Sequence, residues 1–145
     1  MSMDTVFDVS GSGMKAQMLR MEVVSSNIAN VNVTRTPEGG PYRRMDVVFE
    51  TVPVKSSFES ALQASGGNPV SGVAVNKVFE DSSPFLRKYD PEHPDAGPDG
   101  YVLYPNVNIV AEMVNLQEAS RSYEANISAL LAFKNMIAKT FEIGR

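Results

Sequence analysis

The chain is 145 residues long, 43% hydrophobic, and carries seventeen acidic residues against thirteen basic ones, a formal net charge of −4. That balance argues against a nucleic-acid surface, which needs a basic face to bind phosphate. The lack of cysteine excludes disulfides and thiolate metal sites. The longest apolar run, Ala129 to Phe133, is far short of the roughly twenty residues that span a membrane. Met1-Ser2-Met3-Asp4 offers no basic n-region and no apolar h-region follows, so no Sec signal is expected, and export would need another route.

Residues 5–32 are predicted as a helix. Steps of four and three from Phe7 pass through Gly11, Met14, Met18, Met21, Ser25 and Ile28, and Val24 and Val31 widen the stripe. Asp4 is placed to cap its start. Gly11-Ser12-Gly13 predicts fraying or a kink, because each glycine costs about 1 kcal/mol against alanine. The β-branched residues Val31, Val33, Thr34 and Thr36, with Pro37 behind them, should end the helix by Asn32. Pro37-Glu38-Gly39-Gly40-Pro41 reads as a turn. Arg44–Glu50 and Thr51–Val54 read as two extended pieces, the second at an edge because of Pro53. Residues 56–69 read as loop. Residues 70–79 form the clearest strand, with Val73, Val75 and Phe79 on one face. A turn at 81–84, a short strand at 85–89, turn chemistry over 89–100 and an extended piece at 101–104 follow.

The last third, Asn108 to Ile143, reads as one helix roughly 50 Å long. Asn108 is the candidate N-cap, with Glu112 in the first turn. Its seam runs through Ile109, Met113, Leu116, Ser120, Tyr123, Ile127, Leu130, Lys134, Ile137 and Phe141, and eight of these ten are apolar or aromatic. A helix of that length needs a partner, and the N-terminal helix supplies it. The expected fold is mainly α: long N- and C-terminal helices paired as an antiparallel coiled coil, with a small β-rich or loop insertion. Residues 1–36 and 106–145 would form the helical part and residues 37–105 the insertion.

Both helices are poor in charge, and their outer faces hold Ala, Ser, Asn and Val where an isolated hairpin would be charged. Other subunits covering those faces would explain it. Asn27, Asn30 and Asn126 are suited to fixing register across helices. Arg35, Arg43 and Arg44 read either as solvated charges or as groups that dock on a neighbour. No catalytic, cofactor-binding or metal-binding residue is assigned. His93 sits among prolines with no nucleophile in view, the acids of 90–99 match no calcium loop, and no P-loop or nucleophile elbow is present.

Ser25-Ser26-Asn27-Ile28-Ala29-Asn30 resembles the N-terminal signature of bacterial flagellar rod and hook proteins. The stretch Asn32 to Arg44, the segments Tyr89-Asp90-Pro91, His93-Pro94-Asp95 and Gly100-Tyr101-Val102, then Pro105-Asn106-Val107-Asn108, Ser120 to Asn126 and the final Glu142-Ile143-Gly144-Arg145 resemble the FlgC family of proximal-rod proteins within that group. Residues 53–70 carry no pattern of the family. The resemblance implies a structural subunit without catalysis or cofactor, exported by the flagellar type III apparatus and polymerised in the periplasm. Its terminal helices would pack into an inner tube around the export channel. The implied partners are further copies, other rod subunits, an adaptor at the inner-membrane ring and the export apparatus. The competing readings are another rod or hook-proximal subunit, a non-polymerising helical adaptor that binds a partner's helix, and an enzyme.

Overall fold

The computed structural model describes residues 3–53 and 70–143, so the expected loop at 56–69 lies outside it. The elements in order are α1 (Met3–Ala29), β1 (Met45–Pro53), β2 (Ser71–Glu80), β3 (Leu86–Tyr89), β4 (Tyr101–Tyr104) and α2 (Ile109–Ile143). β1 pairs with β2, and β3 with β4, in two separate two-stranded sheets.

The expectation of a mainly α fold is thereby corrected. About half of the described residues are helical and about a fifth lie in strands, which makes this a mixed α and β chain. The error lies after Arg44. What reads as two short pieces divided near Glu50 is one nine-residue strand, β1, paired with the ten-residue β2. Val47, Val48, Phe49, Thr51 and Val52 suit a pleated, half-covered surface, and Pro53 merely ends the strand.

The chain divides into two compact units, and each draws on both helices. The first comprises Met1–Leu19, Phe49–Asn76 and Ala119–Arg145; the second comprises Arg20–Val48 and Lys77–Glu118. In the first unit α1 runs unbroken through Gly11-Ser12-Gly13, contrary to the expected kink. A Cβ on Gly13 would lie 3.1 Å from Asn126 Nδ2, so the glycine lets the two helices close. The Ser12 hydroxyl donates to Val9 O at 2.8 Å and accepts the Val73 amide at 3.1 Å, tying α1 to β2. Phe7 meets Phe133 edge to face at 5.9 Å. Pairing Phe7 with Phe133 and Gly13 with Asn126 makes the helices antiparallel there. The buried residues of this pair are small: Ala16 and Ala119.

In the second unit Arg20 faces Glu118 at 3.8 Å and Asn27 bonds Glu112, again antiparallel. The core holds Val23, Val24, Val102, Pro105 and Val107. α1 stops at Ala29, within the expected limit at Asn32: the Asn30 side chain joins its own amide on Ser26 O, and the next bonds, Val31 N to Ile28 O and Val33 N to Asn30 O, span only three residues. β3 and β4 form a hairpin with Leu86 opposite Tyr104 and Tyr89 opposite Tyr101. Gly100 turns its corner at φ +72°, where a Cβ would strike the Tyr89 ring at 2.8 Å. Asn108 caps α2 as expected, accepting the Val110 and Ala111 amides at 3.0 and 3.3 Å.

Candidate assembly surface and the polar cluster behind it

The helices turn small and polar residues inward and many of their large apolar residues outward. Of the expected α2 seam, Leu116, Ser120, Tyr123, Ile127, Leu130 and Ile137 are half-buried, whereas Ile109, Met113, Lys134 and Phe141 are exposed. The fully buried residues of α2 are instead Glu112 and Ala119, with Asn126 and Phe133 half-buried at the same seven-residue spacing. On α1, Met14, Met21 and Ile28 are half-buried and Met18 is 49% exposed, while Ala16, Val23, Val24 and Asn27 are buried. Ile109, Val110, Met113 and Val114 form a charge-free stripe on the first turns of α2, with Val110 71% exposed. Large apolar groups gathered this way mark an interaction surface.

A buried polar cluster in the second unit fixes this arrangement. Asn27 is 0% exposed and uses its whole amide. Its Nδ2 donates to Met45 O at 2.8 Å and to Glu112 Oε2 at 3.0 Å. Its Oδ1 accepts the Met45 amide at 2.9 Å and the Tyr42 hydroxyl at 3.0 Å. The side chain thus pairs with Met45 as a neighbouring strand would, at the residue where β1 begins. Glu112, 1% exposed, takes Arg44 Nε at 2.8 Å, and Arg44 also bonds Asp46 at 2.8 Å and lies 3.9 Å from Asp81. The Arg44 backbone amide donates to Asn106 Oδ1, and Asn106 reaches back to the Asp81 carbonyl.

Burial opposes the Asp46 carboxylate. Hydrogen bonds from Arg44 and the Val47 amide, aided by the charges of Arg44 and Arg20, nevertheless hold its pKa below the ordinary value. Asp81 is held low first by the Ser83 hydroxyl, then by the Ser83 amide, with Arg44 and Arg43 adding to the effect. Desolvation works against charged Arg44, but Asp46 and Glu112 outweigh it and raise its pKa. Depressed carboxylates give stability that is complete above their unfolded values, about 3.9, and that is lost as pH falls through the lower native ones. Denaturation midpoints measured from neutral pH into acid should therefore begin to fall only below about pH 4, and Asp46→Asn should flatten the fall. An unchanged slope in that variant would contradict the pairing.

The other arginines separate. Arg43 donates to Asp81 O at 3.2 Å and stacks over Phe85 at 4.4 Å. Arg35 stays exposed, 3.9 Å from Asp95, which also accepts the Thr34 hydroxyl. Asn30 is occupied by Ser26, and Asn126 lies against Gly13. Glu112, Asp46, Asp81, Tyr42 and Asn106 are cluster members that sequence reasoning missed. The one local signal was the spacing of Arg44 and Asp46, two residues apart at the start of an extended segment, where such residues share a face.

A chain that locks its framework with a polar cluster and leaves apolar helix faces open is built as a structural subunit. The comparisons agree. The family described as flagella basal body rod protein matches residues 7–35, and the C-terminal family of the flagellar basal body rod FlgEFG proteins matches residues 99–143. The flagellar basal-body rod protein FlgC of Bacillus subtilis is 48% identical over 95% of each chain. That of Salmonella typhimurium is 40% identical over the whole of both, and that of Borreliella burgdorferi is 40% identical over 99% of this chain and 98% of its own. The chain belongs to the FlgC family of flagellar basal-body rod proteins. Among the described residues no helix is long and apolar enough to cross a membrane.

Proposed function

We propose that this chain is a subunit of the proximal rod, polymerising through its terminal helices into the periplasmic drive shaft around the flagellar export channel. The observation that carries this reading is the outward stripe of Ile109, Val110, Met113 and Val114, which a solitary molecule has no reason to leave open. Residues 1–36 and 106–145 would line the tube, and residues 37–105 would meet adjacent subunits outside it. Its partners in this reading are further copies, other rod subunits, the adaptor at the inner-membrane ring and the type III export apparatus that delivers it. The helical ends have little buried apolar area of their own, so they gain order on assembly.

Val110→Asp tests the proposal. The residue is 71% exposed and lies in the first turn of α2, where an acid suits the helix N-terminus. The purified variant should match the parent in stability to within about 0.5 kcal/mol. It should nevertheless be missing from isolated basal bodies, and the cells should not swim. Normal incorporation and motility would overturn the reading.

A further inference from the structure

We infer that Met113 is an oxidation site, at which a peroxide turns this contact face from apolar to polar before the subunit is built into the rod. The inference rests on the rod reading above. Met113 is 56% exposed at the centre of the stripe formed with Ile109, Val110 and Val114. Met21 and Met45, in the same unit, are half-buried. Met18 and Met136 are also exposed, but their helical neighbours three and four residues away include Lys15, Glu22 and Lys139, so a polar group there changes less.

The chemistry is an oxygen-atom transfer. The thioether sulfur attacks one peroxide oxygen and the O–O bond breaks. A sulfoxide forms with loss of two electrons from sulfur, and the second oxygen leaves as water. The product is a strong dipole on a once flexible apolar side chain. On a surface without charges its desolvation opposes contact with an apolar neighbour. Once a neighbouring subunit covers the stripe, the sulfur is shielded.

Hydrogen peroxide treatment of the purified chain and of isolated basal bodies, with each methionine mapped by mass spectrometry, tests this. In the purified chain Met113 should oxidise at least about five-fold faster than Met45, and in basal bodies it should slow by a similar factor. Met113→Leu keeps the volume and removes the reactive sulfur. Cells carrying it should retain several-fold more new-rod formation than the parent after a peroxide pulse. Equal rates at Met113 and Met45, equal oxidation of Met113 in the free and assembled protein, or no relief from Met113→Leu would overturn the inference and leave the rod reading standing. Absence of the chain from basal bodies would bring down both.

Discussion

Asn27→Leu should destabilise the second unit by about 3–5 kcal/mol, although leucine fills a similar volume. Four hydrogen bonds vanish together. Two of the partners have alternatives: Tyr42 keeps a longer contact to Ser26 at 3.4 Å, and Glu112 keeps Arg44. The Met45 amide and carbonyl lose the amide that pairs with them, and each orphaned buried group costs about 1–3 kcal/mol. Asn27→Asp should be no milder. It retains an acceptor but loses both donations, and it sets a second carboxylate against Glu112, 3.0 Å from the present Nδ2. Urea unfolding gives the magnitude, and amide exchange at Met45 shows whether the start of β1 opens first. A midpoint equal to that of the parent would mean that Asn27 does not hold the strand.

That asparagine also shows what was legible in the sequence and what was not. Features written in short stretches came through: both long helices, the Asn108 cap, the hairpin strands on either side of residues 90–100. In α2 six of the ten seam residues, Leu116, Ser120, Tyr123, Ile127, Leu130 and Ile137, are half-buried. The exceptions are Ile109, Met113, Lys134 and Phe141, which are exposed, whereas Glu112 and Ala119, each one residue before a seam position, are fully buried. Apolar periodicity finds the greasiest line on a helix and assigns it to the interior. Here the helices close through Gly13, Ala16 and Ala119, and the inner line carries a carboxylate. What makes Glu112 an interior residue is Arg44, 68 positions away, and Asn27, 85 positions away. No local window contains either partner.

If the greasiest line faced inward, the helix pair would be self-sufficient and its outside inert. Because small and polar groups do the closing, the large side chains stay available. Register within the subunit is then set by directional hydrogen bonds, and in the proposed rod the apolar area serves contacts between subunits. The two tasks use different chemistry and do not compete for the same residues.

Arg44→Met should cost about 3–5 kcal/mol, because it leaves Glu112 buried without its cation. Asp46 also loses Arg44 but is 43% exposed and can be hydrated, so most of the cost falls on Glu112. Glu112→Gln alone should be milder, since Arg44 keeps Asp46 at 2.8 Å and Asp81 at 3.9 Å. It also preserves an acceptor for Asn27 Nδ2. Combining the two substitutions removes the stranded charge, so the double variant should be more stable than Arg44→Met alone, with a coupling of at least about 2 kcal/mol in the double-mutant cycle. The acid response supplies an independent readout. The parent loses stability as Asp46 and Asp81 take up protons. Arg44→Met should lose less further stability in acid, so its deficit should shrink there, because Arg44 no longer holds the Asp46 and Asp81 carboxylates low. Additive costs would place the weight of the cluster elsewhere than on the Arg44–Glu112 pair, and a deficit that does not change with pH would contradict the hold of Arg44 on Asp46 and Asp81.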